Sequence, residues 1–131
     1  MRLDKYYYIE EGSTHSDTWL NDHPDRSYFR IFNVFETEEQ VNNHLRALEL
    51  IETIRRERYR AQGHWWPREH MARFSICGQQ FGNGVDIDYT SWLLSASVFG
   101  LWQDSGVLID VIEKYELELE WYFTEYLPSI N

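Results

Sequence analysis

The sequence predicts an α+β protein in which two β-hairpin–helix units pack antiparallel strands against two helices. Three observations support this. Each half of the chain contains short stretches rich in aromatic and β-branched residues, a long amphipathic helical pattern follows them, and the two halves align without a gap. A chain of 131 residues is the size of one domain, which we divide into units 1–63 and 64–131.

The first unit opens with residues that favour strands. The stretch Tyr6–Ile9 is aromatic and β-branched, as strands prefer. Gly12 and Ser13 indicate a turn, and residues 14–20 follow as a returning strand. Residues 28–35 are predicted to form a third strand that leads into the first helix.

The first helix is predicted over residues 38–61. Thr37 and Gln40 have the spacing of a capping box, in which each side chain bonds to the backbone of the other. Gly63 follows the last turn, where glycine commonly ends a helix. Apolar residues recur at steps of three and four and form one stripe, made of Val41, Leu45, Leu48 and Ile51.

The second unit repeats this order. Residues 73–77 and 85–89 are predicted strands, and Asn83-Gly84 is typical of the hairpin turn between them. An apolar stretch, residues 94–101, precedes the second helix in the place that residues 28–35 occupy before the first.

The second helix is predicted to begin at Asp104 or Ser105, either of which can cap it, and to end near Glu125, before Pro128. Its apolar face comprises Val107, Leu108, Val111, Ile112, Tyr115, Leu119, Tyr122 and Phe123. The acidic residues that lie off that face are Asp110, Glu113, Glu116, Glu118 and Glu120.

An internal repeat accounts for this parallel order. An offset of 67 residues aligns Tyr7 with Phe74 and continues through the caps, where Thr37 meets Asp104. Identities are few, so the alternative is two unrelated units of the same fold class. Either origin predicts the same architecture.

The composition excludes several classes of protein. A net charge of −10 and a pI near 4.8 disfavour direct binding to a polyanion such as DNA. A single cysteine, Cys77, allows neither an internal disulfide nor a thiolate metal site. No apolar run approaches the roughly 18 residues of a membrane span, and the first residues lack the apolar stretch of a signal peptide. We therefore expect a cytosolic protein with no membrane partner.

The sequence resembles a group of small phage and prophage accessory proteins. The shared features are an aromatic opening strand, an N-x-F-x-T-x-E helix start, a Trp-Pro region and a second strand–helix unit. They correspond here to Tyr6–Ile9, 33–39, Trp66-Pro67 and 74–76. Phe32, Gln40 and Val41 depart from that pattern, where glycine, an acid and alanine are usual. The resemblance spans nearly the whole chain and implies a mobile-element context without implying a chemistry.

The residues that could support catalysis do not form a recognisable site. His64 and His70 do not share a helix face, and no third ligand is near them in the sequence, so we expect no metal and no cofactor. Asp86 and Asp88 share one face of a predicted strand and could serve a metal-dependent hydrolase, or could lie on an exposed strand. Cys77 lies in an apolar strand, as a buried cysteine would. We expect the protein not to be an enzyme.

The acidic second helix is the stronger candidate. Residues 104–131 hold seven acids and one base, so they carry much of the net charge. Such a helix can occupy the phosphate-binding groove of a nuclease or a DNA-binding protein, although acids also fill solvated helix faces. We predict an anti-CRISPR-like inhibitor of a host defence protein with a basic surface. Its partner-binding residues are Asp110, Glu113, Glu116, Glu120, Trp65 and Trp66.

Two other interpretations stay open. The basic cluster at residues 55–60, together with the aromatic strand faces, could bind a nucleotide or another small ligand. The same cluster could also meet the acidic helix of a second copy and form a homodimer.

Overall fold

A computed structural model describes residues 5–18, 34–64, 73–78, 84–90 and 98–130. These residues form two antiparallel two-stranded sheets and several helices, which confirms the α+β class. They divide into two compact units on either side of the Arg46–Ala47 bond. The predicted organisation as one domain with a division near residue 63 stays a prediction.

The first unit contains one hairpin. Strand β1 (Lys5–Glu10) pairs with β2 (Ser13–Thr18) through a turn in which Glu11 and Gly12 have φ angles of 52° and 74°. Tyr6 is fully buried, whereas Tyr8 on the same face is only half-buried. The predicted third strand lies outside the described residues up to residue 33.

Helix α1 (Glu38–Gln62) has the bounds that its end residues predict. The Gln40 N–H donates to Thr37 Oγ1 over 3.2 Å, and the Thr37 N–H donates to Gln40 Oε1 over 3.3 Å, so the capping box is formed. The helix ends at Gly63, which has a φ of 58° and donates its N–H to the Tyr59 carbonyl over 2.7 Å.

The second unit contains the other hairpin, β3 (Arg73–Gly78) paired with β4 (Val85–Thr90). Within the apolar stretch that was compared with a strand, Val98 and Phe99 form a turn. Gly100 follows the turn with a left-handed φ of 85°, which does not occur within an extended strand, so residues 98–100 are not a strand; residues 94–97 lie outside the described residues.

The C-terminal helical segment is longer and less regular than predicted. It consists of α2 (Ser105–Lys114), α3 (Glu116–Trp121), a π-helical stretch (Tyr122–Tyr126) and α4 (Leu127–Ile130). The prediction that it ends near residue 125 is therefore wrong. The wide turn changes the hydrogen-bonding register before Pro128, so this proline lies in the first turn of a new helix, where its missing N–H is tolerated.

The core of the second unit lies between α1, β3 and the C-terminal helical segment. Aromatic rings fill much of it, with the Phe99 and Tyr122 centroids 5.1 Å apart in an edge-on arrangement. The structure thus accounts for part of the aromatic content as packing. The buried residues are Ala47, Leu50, Ile54, Ile76, Phe99, Trp102, Leu108, Val111, Leu119, Tyr122 and Tyr126.

The two units repeat one backbone contact at the predicted offset of 67 residues. Tyr7 and Phe35 form an isolated antiparallel bridge, and Phe74 and Trp102 form its counterpart. Both bridges are reciprocal, with N–H to carbonyl distances between 2.7 and 3.0 Å. Each bridge is followed at the same spacing by a helix cap, so the repeat extends to the backbone of the described residues.

Asp104 caps α2, since its carboxylate accepts from the N–H groups of Gly106 and Val107 over 2.8 and 3.1 Å. We expect Asp104→Ala to lower the free energy of unfolding by about 1 kcal/mol, because two backbone donors lose their acceptor. Urea denaturation followed by circular dichroism measures this. Asp110→Ala on the same helix is the matched control and should change stability by less than about 0.5 kcal/mol. Equal losses in both variants would show that Asp104 does not act as a cap.

Candidate interaction surface

Four carboxylates lie on the outer side of α2 and α3. Asp110, Glu113 and Glu116 are exposed, Glu120 is half-buried, and Leu108, Val111 and Leu119 on the opposite side are buried. Asp110 and Glu113 lie three residues apart on α2, and Glu116 and Glu120 lie four residues apart on α3, spacings that place each pair on one side of its helix. We call this surface the acidic face and define it as Ile109, Asp110, Glu113, Glu116, Leu117 and Glu120.

The single base of residues 104–131 does not neutralise the acidic face. The Lys114 Nζ lies 3.3 Å from Glu57 Oε1 on α1, and the Tyr115 hydroxyl donates to the same oxygen over 3.4 Å. The hydrogen bond and charge of Glu57 raise the pKa of Lys114. Among the described residues, no ion pair involves Asp110, Glu113, Glu116 or Glu120.

Two apolar side chains lie among these carboxylates. Leu117 is 81% exposed and Ile109 is 45% exposed. Protein interfaces commonly surround apolar anchors with polar groups, which is the arrangement on this face. This combination favours contact with another protein.

A groove lies on the outer side of α1. Its volume is about 450 Å³, and we call it the α1 groove. Leu48 is 46% exposed there and Tyr59 is 55% exposed. The described residues that line it are Leu48, Ile51, Glu52, Arg55, Arg56, Tyr59 and Arg60.

The structure separates the arginines that are adjacent in the sequence. Arg55, Arg56 and Arg60 line the α1 groove, whereas Arg58 points to the other side and donates its Nε to the Leu101 carbonyl over 2.6 Å. Burial and the nearby Arg55 lower the pKa of Arg58. The sequence pattern identified the cluster but assigned Leu48 to the buried apolar stripe, whereas Leu48 is exposed and Ile51 is partly buried against the core. Val41 of the predicted stripe is fully buried, and the other buried positions of α1 are Ala47, Leu50 and Ile54.

The predicted carboxylate pair on β4 lies on an exposed edge. Asp86 and Asp88 are exposed, and Asp86 accepts from the N–H of the next residue over 2.8 Å. Burial, with the charges of Asp86 and Asp88, raises the pKa of the half-buried Cys77 thiol, which keeps it protonated at neutral pH. In the part of the chain that the structure describes, no three His, Cys, Asp or Glu side chains are grouped as metal ligands would be.

Of the histidines and tryptophans singled out around residues 64–70, the structure describes only His64. His64 is exposed, and its ring contacts Tyr59 edge-on with centroids 5.0 Å apart. Trp65, Trp66 and His70 lie outside the described residues, so their predicted roles stay predictions.

Comparison with protein-family models, curated proteins and solved structures finds no match. Within the described ranges, no helix combines the length and the apolar character needed to cross a membrane. The two charged surfaces of the second unit are therefore its candidate functional features.

Proposed function

We propose that this is a non-enzymatic accessory protein of a phage or another mobile element that binds a basic surface of a host protein through its acidic face. The partner would be a defence nuclease or a nucleic-acid-binding protein in the host cytosol, inhibited as an anti-CRISPR protein inhibits its target. The observation that carries the proposal is that the acidic carboxylates have no ion pair among the described residues, while Lys114 is directed to Glu57.

The spacing of the acids supports mimicry of nucleic acid. Asp110 and Glu120 are ten residues apart on the consecutive helices α2 and α3, which corresponds to about 15 Å at the helical rise of roughly 1.5 Å per residue. One DNA strand places four or five phosphates over that length, at about 3.4 Å per phosphate. Four carboxylates along one side of a helix thus offer a basic groove a similar density of negative charge.

We expect reversal of Glu113, Glu116 and Glu120 to lysine to weaken partner binding by roughly 100-fold or more, because charge attraction at three positions becomes repulsion. The immobilised protein captures its partner from a host lysate, and the eluted partner is then titrated against the wild type and the variant. Short duplex DNA should displace the wild type from the partner, as expected for two ligands of one site.

A matched control reverses three exposed acids outside the acidic face, namely Glu10, Asp17 and Glu49. This control changes the net charge by the same amount and should bind like the wild type. Undiminished binding by the acidic-face variant, or equal losses in both variants, would contradict the proposal.

A further inference from the structure

The α1 groove is a second charged surface of the same unit, and its charge is opposite to that of the acidic face. Three arginines and one glutamate line it, in a chain whose net charge is −10. Leu48 and Ile51 are three residues apart and Ile51 and Tyr59 are eight residues apart, so the three side chains form an apolar row along the helix. The groove therefore suits an amphipathic helix that carries acids and apolar side chains on one side.

Each arginine of the groove makes a hydrogen bond or an ion pair within the chain. The Arg55 Nε donates to the Val98 carbonyl over 2.6 Å, Arg56 pairs with Glu52, and Arg60 lies 3.1 Å from Glu57. Such contacts reduce the rotamer freedom that binding would otherwise remove. They also leave the remaining guanidinium donors to a partner's carboxylates.

We infer that the occupant of the α1 groove is the acidic face of a second copy of this chain. Both surfaces are outer sides of helices, and their lengths match: the groove runs over about 18 Å from Leu48 to Arg60, and the acidic face over about 16 Å from Ile109 to Glu120. Arginines on one surface would meet carboxylates on the other, and Leu48 and Tyr59 would meet Ile109 and Leu117.

In the inferred assembly the contact is made in both directions, as a two-fold dimer requires. The groove of each copy holds the acidic face of the other, so the buried area is doubled and no copy keeps an open binding surface. In that dimer the acidic face is covered, and a host partner would have to compete with the second copy. The inference shares with the proposed function the premise that the acidic face binds a basic surface, but it assigns the groove separately.

A charge-swap experiment tests the dimer by sedimentation equilibrium. We expect the wild type to be a dimer that dissociates between about 0.1 M and about 1 M salt, since the Debye length falls from about 10 Å to about 3 Å. The pair Arg56→Glu and Arg60→Glu should give a monomer, as should the pair Glu113→Lys and Glu116→Lys. An equimolar mixture of the two variants should dimerise again, because both contacts then join opposite charges.

Controls keep the outcome decisive. Glu10→Lys with Asp17→Lys should stay dimeric, and Arg56→Gln with Arg60→Gln replaces the reversed pair if circular dichroism shows that the latter is unfolded. A monomeric wild type, a dimer that survives both variants, or a mixture that stays monomeric would overturn the inference. A melting temperature that rises with ATP only when the arginines are present would assign the groove to a nucleotide and would also overturn it.

The arginine variants separate this inference from the proposed function. They leave the acidic face intact and uncovered, so they should bind the host partner at least as tightly as the wild type while losing the dimer. For the pair Glu113→Lys and Glu116→Lys, a monomer that still binds the host partner as tightly as the wild type would contradict the proposed function alone.

Discussion

Replacing Trp102 by alanine should lower the free energy of unfolding by about 3–5 kcal/mol, the cost of removing a large buried aromatic side chain. Trp102 has no exposed surface, and its Nε1 donates to the Phe99 carbonyl over 3.2 Å. Its backbone also forms the bridge to Phe74 that closes the second unit. Such a loss is a large share of the stability of a small protein. Chemical denaturation followed by circular dichroism measures it.

Two controls separate packing from general loss of an aromatic ring. Tyr59→Ala removes a ring that is 55% exposed and should change stability by less than about 0.5 kcal/mol. Trp102→Phe keeps an apolar ring but removes the donor to Phe99, so its cost should lie between those of the other two variants. If Trp102→Ala cost less than about 1 kcal/mol, Trp102 would not be a central core residue.

Replacing Gly100 by alanine should destabilise the protein by about 2–3 kcal/mol, through two separate effects. The φ of 85° is unfavourable for any residue with a Cβ atom, and that Cβ would lie 2.7 Å from Arg58 Cδ. Arg58 cannot move away freely, because its Nε is bonded to the Leu101 carbonyl. Thermal and chemical denaturation both report the change.

A second glycine isolates the steric part of this effect. Gly12 has a φ of 74° and nothing within 4 Å of the Cβ position, so Gly12→Ala should cost only the backbone strain. We also expect Arg58→Ala to reduce the penalty of Gly100→Ala when the two are combined, as contacting residues are not additive. Additive effects, or equal costs at both glycines, would show that Arg58 does not restrict position 100.

Features that depend on neighbouring residues in the chain could be predicted from the sequence. The start of α1 follows from Thr37 and Gln40, and its end follows from Gly63, because caps are local interactions. Both hairpins are likewise determined by short-range pairing and turn residues. The π-helical stretch at Tyr122–Tyr126 could not be predicted in this way, since it accompanies the packing of aromatic rings against Phe99, which is distant in the sequence.

The candidate surfaces, too, could be predicted where they depend on local spacing and could not be predicted where they depend on packing. The acids of the acidic face were predicted because their helical spacing is visible in the sequence, but the direction of Lys114 toward Glu57 depends on how α1 and α2 pack. The α1 groove could not be predicted, because the sequence alone does not show which side of α1 is buried. Apolar residues at steps of three and four can belong to more than one helix face. Leu48 was assigned to the buried face, but it is exposed.

The repeated bridge has a consequence for the order of folding. Tyr7 and Phe35 are separated by the same number of residues as Phe74 and Trp102, namely 28. The entropy lost on closing a loop depends on its length, so closing either unit carries nearly the same entropic cost. Chain topology then gives neither unit a kinetic advantage, and the unit that forms first is decided by the side chains that each closure buries.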